Sequence, residues 1–149
     1  MRITIVCLIL LTLFNCSDKH SESRLNGEIQ SILKAFNIKR NDCALYLFIP
    51  SNTCYGCRKH TMDVLKDAYR YNNKLKITIV TSDMSLMQNE VNTHAQTVFD
   101  KQKLIDRNTF LAEKITVYHQ DTYCQFTVSN MDSVSFYIQS IVKNPNACF

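Results

Sequence analysis

The feature that most limits how this 149-residue chain can fold is one short apolar segment. Residues 43–49 read Cys-Ala-Leu-Tyr-Leu-Phe-Ile and stop at Pro50. A nearly continuous apolar run of this length, closed by a proline, reads as a central strand buried on both faces. Such a strand needs a covering layer on each side, which points to an α/β architecture rather than an open sheet or a helical bundle.

The flanking segments supply those layers. Leu25, Ile29, Ile32, Leu33 and Phe36 recur at helical spacing, so residues 25–36 form an amphipathic helix. Pro50-Ser51-Asn52-Thr53 is a turn. Residues 57–69 place Met62, Leu65 and Tyr69 along one side of a second helix, with Val64 and Ala68 beside them. Residues 75–81, Leu-Lys-Ile-Thr-Ile-Val-Thr, form a second strand, and residues 83–95 are expected to be helical through Leu86, Met87, Glu90 and Val91. Residues 97–110 read as neither type. Residues 115–118 and 123–128 are two strands joined by a polar turn at His119 to Thr122, a hairpin. Residues 131–142 close the chain as a helix bearing Val134, Ile138 and Ile141 on one side. After the extra N-terminal helix the order is β-α-β-α-β-β-α. The first two strands need a crossover helix and so should be parallel neighbours. The first hairpin strand should pair antiparallel to the first strand. The expected fold is a four-stranded mixed sheet flanked by helices.

Between the first strand and its helix lies Asn52-Thr53-Cys54-Tyr55-Gly56-Cys57-Arg58-Lys59-His60. A C-x-x-C pair is informative at this strand-to-helix junction. The helix start offers unpaired N–H groups and a partial charge of ~0.5 e, which favour thiolate over thiol. Arg58, Lys59 and His60 are candidates to add positive potential. Cys54, at the mouth of the helix, should be the exposed nucleophile, and Cys57, one turn in, the resolving thiol. Two other readings stay open. The pair can be a purely structural disulfide. It can also be half of a metal site, with His60 as third ligand and Cys124, His119 or Cys148 as fourth. Nothing in the spacing forms a second matched ligand pair, so no metal is assigned.

These residues resemble the thioredoxin-like family, and more narrowly its small lipoprotein members in Bacteroidetes. The resemblance spans roughly residues 43–142 and rests on Ile49-Pro50-Ser51, the Cys54/Cys57 pair, the strand at 75–81, and the terminal hairpin and helix. It implies thiol–disulfide exchange with envelope proteins carrying thiols or disulfides. The chain departs from the family pattern at Thr53, where Trp is usual, and at Gly56, where Pro is usual. It also lacks a proline near Lys114, Ile115 and Thr116, where the family places a cis-proline before its third strand.

The N-terminus carries a targeting pattern. Met1 and Arg2 precede an uncharged run from Ile3 to Phe14, shorter than the ~20 residues of a membrane-spanning helix. Leu13-Phe14-Asn15-Cys16 then resembles a lipobox, in which Cys16 becomes the acylated N-terminus. An ordinary cleaved signal or a buried N-terminal strand are the other readings. The expected organisation is a signal peptide at 1–15, a lipidated Cys16 with a polar tether at 16–24, and one domain at 25–149. Several acyl chains, each contributing ~0.8 kcal/mol per buried CH₂, hold a protein stably on a membrane. The expected location is therefore the bacterial cell envelope, the outer membrane rather than the inner, with the domain in the periplasm or on the surface.

Charge excludes little but narrows the partners. The formal net charge is +4, mixed along the chain, with no basic run interleaved with aromatics, so nucleic-acid binding has no support. There is no Gly-rich phosphate loop, no Ser/His/Asp set and no paired-carboxylate site, and no cofactor is assigned. Cys43 reads as a small core hydrophobe. Cys124 lies in the last strand, Cys148 near the end, and His94 on a solvated helix face. Asp83 and Asp100 read as strand-end or loop residues without a catalytic role. A non-enzymatic accessory lipoprotein stapled by a Cys54–Cys57 disulfide is the alternative function.

Overall fold

The computed structural model of the chain describes residues 19–88 and 95–143, with side-chain surroundings from residue 24 onward. The expected signal peptide, Cys7, Cys16, His94 and Cys148 lie outside the described residues. No described helix is long and apolar enough to cross a membrane.

The central strand β1 (Ala44–Ile49) is buried at every position. Its alternating side chains feed two separate cores, as the period of two dictates. Leu45, Leu47 and Ile49 pack with Met62 and Leu65 of α2 (Tyr55–Tyr71) and Val134 and Ile138 of α4 (Ser133–Val142). Tyr46 and Phe48 point the other way, onto Leu25, Ile29 and Leu33 of α1 (Lys19–Ala35). Helices thus cover both faces of the sheet. α1 begins at Lys19, inside the segment expected to be a polar tether.

The sheet is mixed and has five strands in the order β3-β2-β1-β4-β5. β2 (Lys76–Thr81) runs parallel to β1, with Leu47 opposite Ile79. β4 (Ile115–His119) runs antiparallel to β1, and β5 (Thr122–Phe126) antiparallel to β4. Both expected pairings of the first strand are present.

The strand count differs from the expected four. The fifth strand is β3 (Ala95–Phe99), parallel to β2 at the sheet edge. It overlaps the end of the segment read as a helix at 83–95 and the start of the segment left unassigned. Only Ala95 of its five residues is fully buried, so the strand lacks the apolar run that marked β1. Of the helix expected at 83–95, the described part before the strand is a 3-10 turn, Met84–Gln88, and residues 89–94 lie outside the described residues. Local side-chain bonds compete with helix propagation there. Asp83 N–H donates to Thr81 Oγ1 (3.0 Å), and Ser85 N–H donates to Asp83 Oδ1 (2.9 Å). A short α3 (Leu104–Arg107) then leads towards β4.

The hairpin turns on Gln120 and Asp121, both at positive φ (48° and 64°), which matches the twist a two-residue connection requires. Asp121 is anchored twice: Tyr118 Oη–H donates to its Oδ1 (2.9 Å) and Arg40 Nη2 donates to its Oδ2 (2.7 Å). Gln30 of α1 donates to the Tyr118 hydroxyl (3.0 Å), so the helix, the segment before β1 and the hairpin share one polar knot.

Candidate redox site

β1 and β2 are parallel, so the loops that follow them emerge at the same end of the sheet, the end where open α/β sheets place their sites. The loop after β1 is held from several sides. Thr53 Oγ1 donates to Pro50 O (2.8 Å), fixing the turn. Ser51 donates through N–H (2.9 Å) and Oγ–H (2.6 Å) to the carboxylate of Asp106 on α3. Arg58, from the second turn of α2, donates to the carbonyls of Ser51 (3.1 Å) and Thr53. Its Nε sits 2.9 Å from Asp83 Oδ2, in the loop after β2.

This support presents Cys54 as the N-cap of α2, with φ −62° and ψ 143°. The N–H of Cys57 donates to Cys54 Sγ at 2.9 Å. A sulfur at an N-cap receives both a hydrogen bond and the positive end of the helix dipole, two influences that favour a thiolate once the sulfur is reduced. No acidic residue stands in the first turn of the helix to oppose them. Cys54 and Cys57 form a disulfide, with Cα atoms 5.2 Å apart. Cys54 is exposed and Cys57 is 5 % exposed, so one sulfur is open to attack and the other is shielded. Tyr55, between them, is 74 % exposed and offers an aromatic surface beside the disulfide.

The residues expected to add positive potential differ in what they do. Arg58 is the one tied into the loop, and its charge is opposed by Asp83. Lys59 is exposed and pairs along the helix with Asp63 (3.1 Å). His60 keeps a buried Nε2 without a hydrogen-bond partner.

Two of the distant ligands in the metal alternative, His119 and Cys124, lie away from the pair, and the third, Cys148, is outside the described residues. His119 is 5 % exposed, with Nδ1 3.2 Å from Ala44 O, at the opposite end of β1 from the Cys54 loop. Five residues of strand separate those ends by about 16 Å. Cys124 sits opposite Val117 in mid-sheet as a buried thiol. Among the described residues no group of three or more His, Cys, Asp or Glu could hold a metal ion.

Cys43 is corrected from core residue to turn residue. It is half-buried in the turn before β1, and its sulfur is engaged in a disulfide. Asp100 is a strand-end residue, as expected, and lies deep: it is 1 % exposed and accepts hydrogen bonds from Ser82 Oγ (3.2 Å) and Ile105 N (2.8 Å). Asp83, read in the sequence only as a strand-end or loop residue, and Asp106, given no role there, brace the cysteine loop. The signal for Asp83 was its place just after the second parallel strand, which obliges it to share an end of the sheet with Cys54. Asp106 carried no comparable signal, because the segment around it read as neither helix nor strand.

Comparison of the chain with family models, with curated proteins and with solved structures yields no match.

Proposed function

We propose that the protein is a membrane-tethered thiol–disulfide oxidoreductase of thioredoxin-like type, acting on envelope proteins through Cys54 and Cys57. The observation that carries this reading is the asymmetry of the pair: an exposed N-cap sulfur bonded to a shielded one a single helical turn inside. The order of parallel strands, antiparallel hairpin and closing helix around that junction supports the thioredoxin-like assignment.

In the reducing direction the Cys54 thiolate attacks one sulfur of a substrate disulfide. A mixed disulfide forms, and the substrate's other sulfur leaves as a thiolate. Cys57, losing its proton, then attacks Cys54 Sγ and expels the remaining substrate thiolate. The substrate gains two electrons and Cys54–Cys57 returns to the disulfide. Oxidation of a substrate runs the same steps backwards, starting with attack of its thiolate on the exposed Cys54 Sγ. The direction follows from the two reduction potentials.

Replacing Cys57 with Ser tests the exchange step. Mixed disulfides should accumulate on Cys54, because attack proceeds and resolution does not, whereas Cys54→Ser should trap few. Two variants that lose stability and trap nothing would assign the pair to a structural staple in an accessory lipoprotein.

Acylation of Cys16 would hold this chemistry at the membrane, in the envelope and at the outer membrane rather than the inner. The intact mass of protein from the membrane fraction should show chain starting at Cys16 plus lipid. Cys16→Ala should abolish the lipid mass, and a mature N-terminus elsewhere without lipid would remove the anchor from the account.

A further inference from the structure

The ion pair beneath the cysteine loop has a composition that matters for the chemistry above it. Arg58 follows Cys57 directly in the chain, and its guanidinium reaches back to the carbonyl of Thr53, the residue before Cys54. Left alone, that charge would reinforce the helix dipole in favouring a thiolate at Cys54. It is not alone: Asp83 Oδ2 lies 2.9 Å from Arg58 Nε, and the two side chains are 15 % and 16 % exposed. Charges so far removed from solvent act on their surroundings with less screening than surface pairs.

Asp83 is itself held in place. Its N–H donates to Thr81 Oγ1, Thr81 Oγ1–H donates to Ile49 O (2.9 Å), and Asp83 Oδ1 accepts the N–H of Ser85. The carboxylate is therefore anchored to the ends of β1 and β2, and Arg58 is clamped between it and the loop carbonyls. The neighbouring charges have other partners: Lys59 pairs with Asp63, and Asp106 is engaged by Ser51. His60 stands two residues beyond Arg58 on α2, with its Nε2 buried and without a hydrogen-bond partner.

We propose that Asp83 is a positioning residue that sets the redox poise of the Cys54–Cys57 pair, by compensating the charge of Arg58 and fixing its guanidinium under the loop. The inference rests on the oxidoreductase reading for its biological meaning, but its test is a difference between variants and stands apart from that reading. With Asp83 present, the dithiol is held less strongly in its thiolate form than the helix and Arg58 together would allow. The pair is thereby made less oxidising.

The experiment equilibrates the full chain with reduced and oxidised glutathione and follows the apparent pKa of Cys54. The variants are Asp83→Asn, which keeps the shape and an acceptor for Ser85 N–H, and Arg58→Gln, which keeps a donor for one loop carbonyl. One uncompensated charge near the sulfur moves a thiol by about one pH unit. Asp83→Asn should lower the Cys54 pKa by about that amount. It should favour the dithiol by up to about tenfold, a rise in potential of about 30 mV. Arg58→Gln should shift both quantities the opposite way. Opposite shifts from two neutralising variants are the mark of charge tuning, which loss of packing does not produce. Unchanged values, or shifts in the same direction, overturn the proposal. If the wild-type pair exchanges with no protein partner, the functional reading fails while this comparison still decides the role of Asp83.

Discussion

Cys54 is placed so that one backbone N–H and one helix end act on the same sulfur. Its position was largely legible in the sequence because it is local: a three-residue spacing, a preceding strand and a following helix define the N-cap without long-range information. The residues that brace it are not local. Asp106 reaches Ser51 across 55 positions, and Asp83 reaches Arg58 from the loop after the next strand. Carboxylates in loops have many possible partners, and no spacing rule selects one until the strand order is known. The Arg58 guanidinium, expected to add positive potential, was readable in the sequence; the Asp83 carboxylate that pairs with it was not.

At the scale of elements, the strands with the strongest patterns were located to within a residue or two, and the weakest, β3, was missed. β1 is apolar on both faces because helices cover both; β3 lies at the edge, half-buried, and its Gln and Thr obscure the strand pattern. The hairpin was legible from its polar turn, and its anchoring makes a testable statement about pH. Burial, followed by the hydrogen bond to Asp121, pushes the Tyr118 hydroxyl up to about 12 from an ordinary value of 10.0. Between those two pH values the unfolded chain releases the proton while the folded one retains it. The contribution of Tyr118 to stability is therefore complete below pH 10 and declines as pH rises towards 12. Tyr118→Phe should cost about 1 kcal/mol at neutral pH, the worth of the lost hydrogen bond. That difference should shrink across the alkaline window when unfolding by urea is compared at several pH values. A gap that stays constant from pH 8 to 12 would show that the hydroxyl titrates normally. At the acid end the direction reverses. Asp121 is held below the ordinary carboxylate value, first by the Arg40 guanidinium and then by Tyr118, so its contribution is present above pH 4 and lost as pH falls further.

At the scale of the whole molecule, two apolar cores lie back to back on one sheet, and the disulfide sits where β1 leaves it for α2. The expected layering and the parallel and antiparallel neighbours of β1 are present, because an apolar strand between amphipathic helices has few ways to be covered. The added edge strand leaves that centre intact: it extends the sheet beyond β2, away from the hairpin. The central claim is that this scaffold makes Cys54 a reactive thiolate and leaves Cys57 its shielded partner. The direct measurement is the rate at which iodoacetamide alkylates each cysteine of the reduced full chain, followed by peptide mass analysis as pH is varied. Cys54 should react faster than Cys57, with a midpoint well below the ~8.5 of an ordinary thiol. A Cys54 midpoint at that ordinary value, with Cys57 reacting equally fast, would contradict the account.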